Sequence, residues 1–460
     1  MSPLPESEES VMYDRLVLPD LRVMIAEDDA QGLAEFCEVL HPAGTAEILE
    51  ELQDDEIWKV LSRCPMPAQV EIFEFLSLQR RIELVSLISR KDLTRLIEEM
   101  SPDDRVDLLN RMDEEQVESL LPLIAQAERS DIRKLLSYPE HSAGSIMTTE
   151  YASLPEDITV SDAIERLRRQ APDRETIYYV YILGEGRRLD GFISLRDLIL
   201  ARPKAQLADI MRRDVISVHV EDDQEIVAQE LAKYDFLAIP VIDSQNQLVG
   251  IVTHDDVLDV VREEADEDVY LMAGVAPLED SYLDTPALTL AWKRGMWLLF
   301  LSCVSLMTAE VLNHYSGISD RHMWMILFLP MVLASGGNSG AQSATLIIRS
   351  LAVGDSSRVH ALQLTRRELG VGGMLGLMLA LIGLSAAMFW FRRTFSEAAV
   401  VGATMFLVVV MGTVSGALLP LFFRRLGMDP ALMSNPLVAA VVDIMGVVTY
   451  YTVAIIFLGS

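Results

Sequence analysis

The pattern of apolar positions changes character at Pro286. Before it, apolar residues recur at helical or alternating spacing in short segments; after it they run in long stretches joined by short polar links. A membrane span needs about 20 apolar residues, and five runs qualify: Trp292–Leu312, Met323–Leu346, Val371–Phe391, Ala398–Phe423 and Leu432–Leu458. GGNSG at Gly336–Gly340 interrupts the second run, and a break there is tolerated only where the backbone is buried or lines a wet path. Lys293 and Arg294 precede the first run. Arg349, Arg358, Arg366 and Arg367 separate the second from the third, and Arg424 and Arg425 the fourth from the fifth. These basic links face the cytoplasm if the N-terminus is inside, with Arg392 and Arg393 on the other side. Five spans then put the C-terminus outside.

Up to about Tyr138 the spacing predicts short amphipathic helices separated by proline or acidic turns such as MSPDD and MDEEQ, stacked as a small superhelical array. From Ile146 to Asp259 a unit repeats. GFISLRDLIL at Gly191–Leu200 recurs as GIVTHDDVLD at Gly250–Asp259, a shift of 59 residues. Each copy ends a pair of β-rich runs preceded by an amphipathic stretch, VSDAIERLRR or EIVAQELAKY. A β-α-β-β-α unit present twice is expected to pair with its own copy.

The net charge of −31 is unevenly divided. From Pro286 onward there are 11 Lys+Arg and 7 Asp+Glu, against 27 and 62 before it. So acidic a soluble portion repels nucleic acid and needs counter-cations to stay compact. Cys37, Cys64 and Cys303 show no metal-ligand spacing and predict a reduced compartment without disulfides. The polar opening MSPLPESEES holds no apolar signal region, which keeps the soluble portion in the cytoplasm.

Two constellations carry chemistry. In DDVLDVVREEADEDVY, residues 255–270, Asp256, Asp259, Glu263 and Glu267 fall on one helical face, flanked by Glu264 and Asp268. Such a stripe is either a solvated face or a cation site. Its position, running from the repeat toward the first apolar run, favours the cation. Oxygen-only ligands select a hard ion, and loose carboxylates suit Mg²⁺, which keeps its waters; no EF-hand loop is present. The second constellation is Asp443, an acid near the middle of the last apolar run, where a carboxylate costs roughly 2.5–3.5 kcal/mol. Asn338, Gln342 and Asn435 are further polar groups in apolar surroundings, and Pro436 is expected to free carbonyls toward a path. One Asp443 per subunit would form a filter for a hydrated divalent cation, or else a proton relay.

GGNSGAQSATLIIRSLA, RRLGMDPALMSNPLVAAVVDIMG and IVTHDDVLDVVREEADED resemble the MgtE family of magnesium channels and transporters, in that family's order. The resemblance implies a multidomain membrane protein: an all-α N-terminal superhelical domain, an α/β tandem CBS domain, a long connecting helix and an α-helical five-span membrane domain. The expected boundaries are a flexible terminus over 1–20, the helical domain over 21–138, the CBS pair over 139–259, the connecting helix over 260–285 and the membrane domain over 286–460. It further implies a homodimer in the cytoplasmic (inner) membrane bilayer, carrying Mg²⁺ inward and closing when internal Mg²⁺ binds its acidic domains. By motif, the filter is Asp443, with Asn435, Asn338 and Ala439 as pore positions and Asp429 at the cytoplasmic mouth. The matching sensor acids are Asp103, Asp107, Asp223, Glu225, Asp235, Asp256, Asp259, Glu264, Glu267 and Asp268. ATP is the nucleotide implied at the CBS pair, at Tyr179, Arg196, Asp197 and Phe236.

The competing function is a proton- or ion-coupled carrier of divalent cations, Co²⁺ included, regulated by nucleotide at the CBS pair. No G-x-x-x-x-G-K-[ST] loop occurs, which disfavours an ATP-driven pump. The apolar runs offer Asp443 no paired acid or His in a comparable motif, so an enzyme is not expected.

Overall fold

The computed structural model describes residues 6–278, 282–283, 285–352, 361–432 and 434–459. Arg358, counted above among the basic links, lies outside the described residues. The chain forms two compact units, Met1–Val261 and Arg262–Ser460.

The first unit opens with helices: α1 (Glu6–Glu27), α2 (Ala30–Val39), α3 (Pro42–Glu50), α4 (Asp54–Leu61), α5 (Met66–Phe75), α6 (Leu78–Leu87), α7 (Arg90–Glu99), α8 (Pro102–Arg111), α9 (Glu114–Leu120) and α10 (Gln126–Leu135). Helix α1 begins at Glu6, inside the stretch expected to be flexible. Most of these helices are too short to be stable alone, so burial of one apolar face, with Leu49, Ile57, Ile72, Phe73, Leu84, Leu96 and Leu108 fully inside, holds them. A repeat of 24 residues also caps them. Glu50, Glu74 and Glu98 accept the backbone N–H of Ser77, Ser101 and Ala125 at 2.7, 2.8 and 3.1 Å. Arg105 donates to the carbonyls of Glu98 and Met100, and Arg129, 24 residues on, to those of Pro122 and Ile124. Each glutamate thus satisfies an otherwise orphaned N-terminal donor.

Packing in this array also corrects the cysteine expectation. Cys37 and Cys64, both buried, form a disulfide with Cα atoms 5.9 Å apart. They are 27 residues apart in sequence, and only the stacking of the helices brings them together.

The repeat follows: β1 (Tyr151–Leu154), α11 (Val160–Gln170), β2 (Thr176–Leu183), β3 (Leu189–Ser194) and α12 (Leu195–Leu200), then α13 (Leu207–Ile210) as a link. The second copy is β4 (Val218–His219), α14 (Gln224–Tyr234), β5 (Ala238–Ile242), β6 (Leu248–Thr253) and α15 (His254–Met272). Each copy makes a three-stranded sheet in which the first strand runs parallel to the second and the second antiparallel to the third. The copies share a core: Tyr151 and Tyr181 pack with Ala238, Leu248 and Ile251, and the Tyr151 hydroxyl donates to the Leu248 carbonyl at 3.0 Å.

The second unit holds α16 (Ala287–His314), α17 (Ser316–Arg321), α18 (Trp324–Ala352), α19 (Ala361–Ser385), α20 (Phe395–Arg425) and α21 (Asn435–Leu458). Among the described residues, four helices are long and apolar enough to cross a membrane: α16, α19 with its continuation to Trp390, α20 and α21. The remaining predicted run is α18, 29 residues long and packed against both α20 and α21.

GGNSG does not break α18, contrary to the expectation above. Its glycines are there for contact. A Cβ on Gly412 would stand 2.4 Å from the Gly336 carbonyl oxygen, and one on Gly416 2.1 Å from that of Gly340. Glycines four apart on α18 face glycines four apart on α20, and the two backbones touch. Pro436 likewise frees no carbonyls: it lies in the first turn of α21, where its missing N–H has no intrahelical partner to lose.

Candidate functional site

The second unit places its acid where helices close in. Asn435, Ala439 and Asp443 are spaced by four along α21 and so form one row, about 12 Å long at 1.5 Å per residue. A Cβ on Gly337 of α18 would lie 3.4 Å from the Ala439 methyl and 3.9 Å from Asp443 Oδ1. The carboxylate therefore faces one position of α18, Gly337, that carries no side chain. At the head of the row, Asn435 Oδ1 accepts from the Thr345 hydroxyl at 3.1 Å. The buried Ser434 hydroxyl caps α21 and accepts the Trp297 indole N–H at 3.1 Å. Asn338 and Gln342 point to the exposed side of α18.

Near the end of α15 a second acidic group gathers. Burial, with Asp429 and Glu264 next in influence, pushes the Asp268 carboxyl up to about 6, while Arg349 opposes the shift. Asp429 also caps its own turn, accepting the Ala431 N–H at 2.8 Å. Arg349 belongs to this group and was read in the sequence only as a basic link.

In the first unit, α8 and the start of α15 bring acids together. Burial and the neighbouring Asp256 hold Asp103 well above the usual carboxylate range, and burial raises Asp256 as well. Asp103 Oδ1 is buried with no hydrogen-bond partner among the described residues. Asp256 instead accepts from the Thr253 hydroxyl, which turns its carboxylate over the first turn of α15. Glu175 joins them, pushed to about 7 by removal from water and by Asp256 and Asp255. Glu74, raised to about 7 chiefly by burial, adjoins Asp104, whose carboxylate is held by Arg81 at 2.7 Å. The sequence reading missed Glu74, Asp104 and Glu175. Asp104 could have been found in SPDD, but nothing local marks the other two. Among the described residues no group of three or more His, Cys, Asp or Glu is placed to hold a metal ion directly.

The remaining sensor candidates of the first unit sit at helix ends or on helix surface. Asp223 caps α14 by accepting the Glu225 N–H at 2.9 Å, and Asp235 ends that helix in a left-handed conformation at φ 52°. Asp107 and Asp259 lie on exposed helix surface. Of the nucleotide candidates, Tyr179 and Phe236 meet edge to face at 6.3 Å and line a slot of about 20 Å³ with Phe192 and Ile216. Asp197 pairs with Arg212 at 3.6 Å, and Arg196 is exposed and not part of the slot lining.

Comparison with known proteins accords with this layout. Residues 329–453 match the MgtE divalent cation transporter family, residues 40–141 the MgtE intracellular N domain, and residues 143–204 and 207–263 CBS domains. The chain is 37% identical over 446 residues to the magnesium transporter MgtE of Thermus thermophilus, covering 96% of this chain and 98% of that one. It is 31% identical to the protein of the same name from Bacillus subtilis, covering 98% and 99%. The cytosolic domain of the Mg²⁺ channel MgtE, solved in complex with ATP, superposes with a TM-score of 0.51 at 38% identity, covering 53% of this chain and 99% of that structure. The chain belongs to the MgtE family of divalent cation transporters.

Proposed function

We propose that this protein moves Mg²⁺ across the cytoplasmic membrane through a pathway whose filter is Asp443, and that its acidic soluble portion closes the pathway when internal Mg²⁺ is high. The observation that carries the reading is the placement of Asp443 opposite Gly337, a carboxylate facing bare backbone in a mostly apolar bundle. A strongly hydrated ion needs space as well as charge, and Gly337 with Ala439 beside it leaves space next to the carboxylate. Asn435 heads the row, Asn338 borders it, and Asp429 with Asp268, Glu264 and Glu267 forms an acidic mouth. Two chains, each giving one Asp443, would complete the filter; the soluble portion lies in the cytoplasm and the C-terminus outside.

The sensor reading rests on Asp103 and Asp256. Two buried carboxyls with one orphaned oxygen fit a cation that neutralises them through its water shell. Asp255, Asp104 and Glu175 surround the pair, and Asp107, Asp223, Glu225, Asp235 and Asp259 supply weaker exposed charge. With cation present the acids are drawn together; without it, their repulsion favours separation of the elements that carry them. This is a shift between two states with different cation affinity. Adenine nucleotide is read at the Tyr179–Phe236 slot, with Asp197 toward the ribose once released from Arg212, and Arg196 beside it.

Mg²⁺ flux into liposomes, with cytoplasmic-side Mg²⁺ stepped from micromolar to about 10 mM, the range in which loosely held carboxylate sites fill, tests the whole. Flux that is high at low Mg²⁺ and shuts off as it rises supports it. Flux indifferent to that step would remove the sensor role and leave the pathway.

A further inference from the structure

The first unit contains a polar cavity of about 320 Å³ between α10 and the repeat, lined by Asp131, Lys134, Glu150, Arg174 and Arg187 among others. That volume lies at the lower end of small-molecule sites, roughly 300–1,000 Å³. Its charge runs against its surroundings. Three of the five charged groups are basic, in a portion of the chain that carries 27 basic and 62 acidic residues. Lys134 and Arg187 have no carboxylate within ion-pair distance among the described residues.

The backbone at Arg187 is a second observation. Gly186 and Arg187 both adopt left-handed φ, +68° and +62°. In the other copy of the repeat, 59 residues on, the position of Arg187 is taken by Asn246, also left-handed at +58°. Asn tolerates that conformation; an arginine is unusual there. Here the Arg187 guanidinium hydrogen-bonds to the Tyr151 hydroxyl and lies 6.0 Å from the centre of that ring, which fixes it at the cavity wall. A held guanidinium and an excess of cations suit an anion site, and arginine presents a fork of donors matched to phosphate oxygens.

We propose that this cavity binds a small phosphate-bearing anion, held by Arg187 and Lys134 with Arg174 completing the wall. The anion would tie α10 of the helical array to the segment just before β1 and to β6. The site is separate from the acidic clusters, and its ligand has the opposite charge.

The test is equilibrium dialysis of the full chain in detergent against inorganic phosphate and, separately, ribose 5-phosphate, at constant ionic strength and without divalent cations. The proposal expects saturable binding of one anion per chain. It also expects a loss of about tenfold or more in both Arg187→Asn and Lys134→Gln, the effect of removing one charge-assisted hydrogen bond. Arg187→Asn keeps a residue that the second copy already accommodates at this conformation, and Lys134 is exposed, so both variants are compatible with the fold. Tighter binding of inorganic phosphate identifies a free phosphate site, and tighter binding of the sugar phosphate an organic one. No saturable binding of either, or binding that survives either substitution within twofold, overturns the proposal.

Discussion

The membrane bundle and the acidic portion solve opposite problems with carboxylates. In the bundle acids are few: Glu368 of α19 accepts from the Ser343 hydroxyl of α18 at 2.8 Å, Asp443 faces Gly337, and the neighbouring helices are brought close by removing side chains, with the Gly336 and Gly340 carbonyls lying where Gly412 and Gly416 have none. In the first unit acids are crowded on purpose, Asp103 against Asp256 with Glu175 beside them, and burial holds them above their ordinary range. The bundle's packing is mostly apolar and backbone-to-backbone, so its stability should not depend on the cation concentration. The acidic contact should be stable only when a proton or a cation sits in it. A pathway needs the first property and a sensor the second.

Breaking the bundle gives the largest effect. Gly416→Leu forces a side chain into the Gly340 carbonyl, costing about 3 kcal/mol or more, and should abolish recovery of folded protein by size exclusion. Asp443→Ala removes charge and leaves that packing untouched; flux should fall on the order of 100-fold with the chromatographic profile unchanged. Unchanged flux in that variant would remove the filter role.

On the acidic side, Asp103→Ala should raise the Mg²⁺ concentration that halves flux by about three- to tenfold, as one ligand of a water-mediated site is lost. In Mg²⁺-free buffer the same variant should be at least as stable as wild type, since it deletes a buried carboxyl with an orphaned oxygen. A lower melting midpoint there would show that Asp103 is structural.

Acidity provides a finer test of the contrast. Carboxyls raised in the folded state, Glu175 and Glu74 to about 7 and Asp268 to about 6, retain protons at pH values where the unfolded chain has lost them. Stability without divalent cations should therefore fall as pH rises from about 5 through about 7, and added Mg²⁺ should restore it most strongly at pH 8. Closure by Mg²⁺ should weaken on acidification toward pH 6, by up to about tenfold per pH unit for each proton displaced. A closing concentration constant between pH 8 and 6 would disconnect the raised carboxyls from gating. The smallest effect belongs to Glu74→Gln, which keeps the acceptor for the Ser101 N–H and should change stability at pH 7 by about 1 kcal/mol or less.

Amino-acid order by itself determined the elements and the layout. The 59-residue repeat, the long apolar runs after Pro286 and the charge step at that point all follow from periodicity and composition, because local patterns dictate which face or length is apolar. Asp443 stood out for the same reason, as an acid in the wrong solvent. Three things were decided only by tertiary structure. GGNSG reads as a flexible break until Gly412 and Gly416 are seen against it, since a glycine's use depends on what approaches it. Cys37 and Cys64 read as unrelated thiols until the helical array stacks them. Glu175 carries no local mark, and its raised carboxyl comes from its own burial and from residues about 80 positions away, Asp255 and Asp256. Charge along a chain is local information, but the dielectric and the neighbours that give a charge its chemistry come from the folded surroundings.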